Sequence, residues 1–165
     1  MCLRHVNLSA GVPPDLPFLR SHRIVAAAAP SYLARYGRPL TPADLANHNC
    51  LTYTNSSRRG EWDFSGADGD ITAKVGGHFR VNNGDLLRRA ALAGEGIICE
   101  PSFLIGEDLS QGVLEILLPD YATPELTLYA LYPSHRHLSA KIRSFINFLA
   151  ARISEPPAWD GWIKK

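Results

Sequence analysis

The chain has 165 residues, 45% of them hydrophobic and 20% charged, and its 17 Lys and Arg nearly cancel 16 Asp and Glu to leave a formal charge of +1. That is the composition of an ordinary soluble globular protein, long enough to bury roughly two-thirds of its unfolded surface. A free-standing nucleic-acid binder would carry a basic stripe or tail, and the longest basic cluster here is Arg58-Arg59. Three widely spaced cysteines, Cys2, Cys50 and Cys99, form no Cys-x-x-Cys and have no His pair at zinc-ligand spacing. They read as reduced, mostly buried thiols of a cytoplasmic protein. No apolar run reaches the ~18 residues of a membrane span. Arg4 and His5 interrupt the basic-then-apolar order of a signal peptide.

Residues 2–6 read as a short strand followed by a loop, because Pro13, Pro14 and Pro17 forbid a helix there. Residues 22–28 form an apolar run of strand length, closed by Pro30. Pro30 suits the first position of a helix over 31–36, and Gly37 ends it. Thr41-Pro42-Ala43-Asp44 starts another short helix, with Thr41 as its cap and Asp44 at the positive end.

Four strands are expected at 51–54, 61–64, 71–75 and 78–81. Asp68-Gly69 closes a hairpin between the second and third, and Gly76-Gly77 turns the chain again. A helix over about 84–93 follows, capped by Asn83, stopped by Gly94, and apolar along Leu86, Leu87, Ala90 and Ala91. Residues 97–99, 114–118 and 126–132 supply three more strands. The last helix has Ser139 as its cap, Ile142, Phe145, Ile146 and Leu149 as one buried face, and Pro156-Pro157 beyond its end. Strands and helices alternate along most of the chain, so the class is α/β.

The second half carries a recognisable pattern. Val81-Asn82-Asn83-Gly84-Asp85, then Ala90-Ala91-Leu92-Ala93-Gly94-Glu95-Gly96-Ile97, then Pro101-Ser102-Phe103-Leu104, resembles the Asn…Ala-x-x-Gly-x-Gly-Ile…Pro-x-Phe pattern of LysR-type transcriptional regulators. Ala29-Pro30-Ser31-Tyr32-Leu33 and Pro39-Leu40-Thr41-Pro42-Ala43-Asp44-Leu45 resemble earlier segments of the same family. So do Tyr132-Pro133, His137-Leu138-Ser139 and Phe145-Ile146-Asn147-Phe148-Leu149 near the end.

The resemblance spans residues 2–155 and implies a type II periplasmic-binding-protein-like fold: two α/β lobes joined by two crossover strands, with a ligand between them. It implies one complete lobe over 24–125, with 1–23 and 126–165 forming the C-terminal part of the other. On that reading the other lobe's earlier strands and helices, and a winged helix-turn-helix that would contact DNA, are expected upstream of Leu3-Arg4-His5. The implied function is effector sensing by a homodimeric or larger regulator. The effector would be a small molecule such as a carboxylate or an amino-acid-like metabolite. A solute-binding protein serving transport on the same fold is the alternative. Three positions depart from the family pattern. Ala29 replaces a capping serine, forfeiting about 1 kcal/mol of helix support. Val6 stands where glycine is common, and Glu100 where leucine or glutamine is usual.

The candidate ligand-binding residues are Tyr53, Thr54, Asn55, Asn82, Asn83, Glu100 and Pro101. Tyr53, Thr54 and Asn55 lie where a strand runs out into a loop, the place where ligands gather in open α/β sheets, or they form an ordinary polar loop. Asn82 and Asn83 precede a helix whose N–H groups and dipole attract an anion, or Asn83 simply caps it. Glu100 ends the apolar run Ile97-Ile98-Cys99. A carboxylate there is costly to bury unless paired or neutralised. It is either a cleft group selecting a cationic or hydroxyl-bearing effector, or half of an ion pair with Arg88 or Arg89.

His135 and His137 lack a third metal ligand, and Asp63, Asp68 and Asp70 fit a hairpin better than a calcium loop. No Gly-x-Ser-x-Gly elbow surrounds Ser31, Ser102 or Ser139. Gly94-Glu95-Gly96 follows its helix instead of opening one, so no phosphate loop is present. Neither catalysis nor a cofactor is expected.

Overall fold

The computed structural model describes residues 2–7, 18–54, 60–131 and 140–152. Strands β1 (Cys2–Asn7) and β2 (Phe18–His22) flank β10 (Leu126–Leu131) in an antiparallel sheet ordered β1-β10-β2. Cys2 lies opposite Leu131, and His22 opposite Leu126.

The apolar run 22–28 is two strands instead of one. His22 ends β2, Arg23 interrupts, and β3 (Ile24–Ala28) enters a different sheet between β8 (Ile98–Pro101) and β9 (Glu115–Ile116). The break has a local cause. Ile24 is in register with Pro101, which has no N–H to extend the ladder, and the Arg23 carbonyl instead accepts the Ser102 N–H at 2.8 Å.

A parallel bridge from Cys50 to Ile97 sets β8 beside the segment leading to β4 (Thr52–Tyr53), which pairs in parallel with β7 (Arg80–Val81). The spatial order is therefore β7-β4-β8-β3-β9. The parallel members β7, β4 and β8 all end on the edge where β3 begins.

Side chains of β3 alternate between two covers, and so the whole strand is apolar. Val25 and Ala27 join Leu87, Ala91, Ile98 and Ile105 beneath α2 (Gly84–Leu92) and α3 (Ser102–Ser110). Ala26 and Ala28 join Tyr32, Leu45 and Phe64 on the opposite face. That face is covered by α1 (Pro30–Tyr36), the 3-10 helix Pro42–Asn47 and the hairpin of β5 (Glu61–Gly66) and β6 (Gly69–Lys74). The expected hairpin forms, but it turns at Ala67 and Asp68, one residue before the expected Asp68-Gly69. Thr41 and Asp44 form a reciprocal capping box on the 3-10 helix, whereas Ala29 gives α1 no side-chain cap. Gly94, at φ +78°, ends α2.

Several expectations need correction. The strands expected at 78–81 and 114–118 shorten to β7 and β9. Leu86 on α2 is 47% exposed, and Leu87 and Ala91 carry that helix's packing. On α4 (Ala140–Arg152) Ile146 is buried but Phe145 is 44% exposed. Helix α3 was not anticipated at all. The proline-rich loop, Ser139, the two histidines at 135 and 137, and Pro156-Pro157 lie outside the described residues. Among the described residues no helix is long and apolar enough to cross a membrane.

Candidate functional site

Three parallel strands ending on one edge bring distant parts of the sequence together. Tyr53 ends β4, and the Thr54 N–H reaches across to the Val81 carbonyl at 2.8 Å. Asn82 and Asn83 lead from β7 into α2, and Glu100 and Pro101 lead from β8 into α3. Six of the seven candidate residues therefore share one edge of the sheet; Asn55 lies outside the described residues.

Asn83 is a helix cap. Its Oδ1 accepts from the N–H groups of Asp85 at 2.9 Å and Leu86 at 3.2 Å. Two orphan donors are satisfied in this way while the helix dipole remains at that edge. Pro101 caps α3 without any side-chain hydrogen bond. The Ser102 hydroxyl behind it is fully buried and has no hydrogen-bond partner among the described residues.

Glu100 lies opposite Val25 and points to the same face as Ile98, under α2 and α3. It is 7% exposed, and its Oε2 lies 3.0 Å from where a Cβ on Gly84 would stand. A larger residue at 84 would thus collide with the carboxyl and with Leu104. Burial pushes the carboxyl up to about 7. The expected ion pair is not formed. Arg88 forks onto Asp108, with Nη2 to Oδ1 at 2.7 Å, and Arg89 binds Asp85 at 2.9 Å. Among the described residues no cation is left beside Glu100.

Next to this edge, the hairpin and the two strand connections enclose a cavity of about 660 Å³. Tyr53, Trp62, Phe64, Asp63, Asp70 and Thr72 line it, together with Ile24 and Thr123 from the connections. The Thr72 hydroxyl donates to Asp63 at 2.8 Å. Of the predicted site residues that are described, Tyr53 alone borders this cavity. Sequence reasoning assigned Asp63 and Asp70 to a hairpin and drew nothing from Trp62. The usable signal was an aromatic between two acids, Glu61-Trp62-Asp63, on a half-buried strand. Cys99 borders the cavity too, but burial pushes its thiol up, and Cys50 reaches about 12, so neither is a thiolate near neutral pH. Among the described residues no group of three or more His, Cys, Asp or Glu could hold a metal ion.

The profile of the LysR substrate binding domain matches residues 15–154. The chain is 32% identical over 153 residues to the HTH-type transcriptional regulator CrgA of Neisseria meningitidis serogroup B, covering 90% of this chain and 51% of that protein. It is 31% identical over 154 residues to the HTH-type transcriptional activator TtdR of Escherichia coli K12, covering 89% and 49%. The regulatory domain of CrgA from Neisseria meningitidis superposes with a TM-score of 0.72 at 30% identity, covering 92% of this chain and 74% of that one. Full-length AphB, the Vibrio cholerae virulence activator, superposes at 0.76 and 23% identity, covering 91% and 50%. The chain spans about half the length of the relatives it matches. The fold is the α/β, type II periplasmic-binding-protein-like fold of such regulatory domains.

Proposed function

Because the chain belongs to the LysR substrate-binding domain family, we propose that it is the effector-sensing module of a transcriptional regulator. Residues 24–125 serve as one complete lobe, and 1–23 with 126–165 as the C-terminal part of the other. A small-molecule effector binds at the sheet edge where Tyr53, Thr54, Asn82, Asn83, Glu100 and Pro101 meet, and Asn55, next to Thr54 in sequence, belongs to the same proposed set. The observation that carries this reading is the convergence of three parallel strand ends, two of which open into helices. Ligands collect at such edges because loop side chains and helix N-termini face them.

Binding shifts the balance between two arrangements of the lobes, and so the spacing of DNA-binding units in a homodimer or larger oligomer. The regulator acts in the cytoplasm, touches DNA through a helix-turn-helix outside this chain, and catalyses nothing. The regulator names of its relatives favour this over the transport alternative.

Thermal-shift screening of this chain against amines, amino acids and aromatic acids tests the reading. A true effector at 100 times its Kd adds about 2.7 kcal/mol of stability. The expected result is a hit whose stabilisation disappears in Tyr53→Ala. Hits that ignore substitutions at Tyr53, Asn82 and Glu100 alike would place the ligand elsewhere.

A further inference from the structure

The cavity closed by the hairpin lies on the other face of the sheet from Glu100. Cys99 borders it and is in register with Ala26, whose side chain joins the core under the hairpin. Glu100 is in register with Val25, under α2 and α3. At about 660 Å³ the cavity has the size of a small-molecule site.

Thr52 is the polar group most deeply committed to it. Leu51 packs under the two helices, so the next residue of the strand points to the hairpin side. Thr52 is 7% exposed, lines the cavity, and its hydroxyl has no hydrogen-bond partner among the described residues. The unpartnered hydroxyl of Ser102 is sealed in protein, whereas that of Thr52 opens onto the cavity. A buried polar group without a partner is costly, so a ligand donor placed there is favoured.

The hairpin sets the charge. Asp63 stands opposite Thr72 in the ladder and Ser65 opposite Asp70, which puts Asp63 and Asp70 on one face. Asp70 makes no hydrogen bond or ion pair among the described residues. The third acid of the lining, Glu61, has Lys74 opposite it. Among the described residues the lining holds no Lys, Arg or His. Its hydroxyl hydrogens are partly spent already: Thr72 donates to Asp63 at 2.8 Å, and Thr123 donates to the Ile24 carbonyl. What is left is rich in acceptors and negative, and an anion there would meet like charge. Half-buried Trp62 and Tyr53, 39% exposed, add aromatic surface that attracts cations.

We propose that this cavity is a second ligand site and that it takes an organic ammonium ion. The ammonium head donates to the carboxylates of Asp63 and Asp70 and to the Thr52 hydroxyl oxygen, and the apolar body lies against Trp62 and Tyr53. The site is separate from the effector edge proposed above and does not rest on it, although Tyr53 borders both. Ile24 and Thr123 belong to the two connections between the sheets, so a ligand that fills the cavity touches both connections.

The test is calorimetric titration of the 165-residue chain at pH 7 with phenethylamine, tyramine and putrescine. Phenethyl alcohol and hydrocinnamate serve as neutral and anionic controls. At least one amine should bind about tenfold more tightly than the alcohol, and hydrocinnamate should not bind. Asp70→Asn, at an exposed position, should weaken that amine about tenfold. Thr52→Val keeps the side-chain shape and should weaken it about fivefold, while the melting temperature holds or rises because an unpartnered hydroxyl is gone. Asn82→Ala and Glu100→Gln should leave the amine affinity within about twofold. Failure of all three amines to bind at millimolar concentration overturns the proposal. So does equal binding of the alcohol or of hydrocinnamate, or an amine affinity that neither Asp70→Asn nor Thr52→Val changes. Amine binding that is lost in Asn82→Ala or Glu100→Gln yet kept in Asp70→Asn would overturn this site and leave the effector edge standing. Should Thr52→Val fail to fold, Asp70→Asn decides.

Discussion

A carboxyl raised from 4.5 to about 7 holds its proton in the folded chain at pH values where the unfolded chain has released it. Glu100 therefore contributes stability that is fully present below pH 4.5 and is lost as pH rises through 7. Glu100→Gln does not titrate, so its stability relative to wild type should rise by about 3 kcal/mol between pH 4 and pH 8. Urea unfolding of both proteins at the two pH values measures this; a constant difference would mean that Glu100 ionises normally. Asp108 carries a different load. It is 5% exposed at the side chain and gripped by an Arg88 that is 28% exposed. Asp108→Ala should cost about 2 kcal/mol, short of the ~3–5 of a fully buried pair because Arg88 can turn to water. An unchanged melting temperature would contradict that. Glu100 stood out in the sequence because a charge ended an apolar run. Its supposed partner was misjudged because Asp108 comes from a helix that the sequence did not reveal.

That helix, α3, hid because its buried positions are Ser102, Ile105, Gly106 and Asp108. The spacing is helical, but only one of the four is a large apolar residue, so no hydrophobic stripe marks it. The split between β2 and β3 hid for the opposite reason. The break falls at Arg23, a charge at the front of a segment whose remainder, Ile24 to Ala28, is wholly apolar and reads as one strand. The hairpin, the α2 cap and the capping box of the 3-10 helix were legible because each depends on residues close in sequence. Gly96 is constrained instead by a contact far away in sequence. A Cβ there would lie 2.3 Å from the Asn49 carbonyl oxygen, which accepts the Ile97 N–H at 2.9 Å. Gly96→Ala must push β8 away from the β4 segment, and a loss of about 3 kcal/mol is expected. Circular dichroism melts read it directly, and a variant as stable as wild type would show that this contact yields easily.

On the scale of the whole molecule, the α/β class followed from alternating elements, and the order β7-β4-β8-β3-β9 did not. Strand neighbours are set by long-range pairing, which local pattern does not encode. The cavity escaped notice on the same ground, since a hairpin from 61–74 closes it against connections at Ile24 and Thr123. Charge, by contrast, is a property of the entire chain. With a formal +1, this chain by itself should give no salt-dependent mobility shift with DNA at sub-micromolar concentration. A shift that weakens steeply with salt would reveal a basic surface at odds with that balance.

The placement of β10 between β1 and β2 has a consequence in time. Chains are made from the N-terminus, so β1 and β2 leave the ribosome before β10, yet among the described residues each pairs only with β10. The sheet around β3 closes entirely within residues 24–116 and is complete before β10 exists. The pairings of β1 and β2 with β10 therefore form only after the middle of the protein has been made. In refolding, pulsed hydrogen exchange should find amides of β3 and β8 protected before those of β1 and β2, because the terminal sheet bears the larger loop-closure cost. Simultaneous protection of both sets would mean that the molecule folds as one unit.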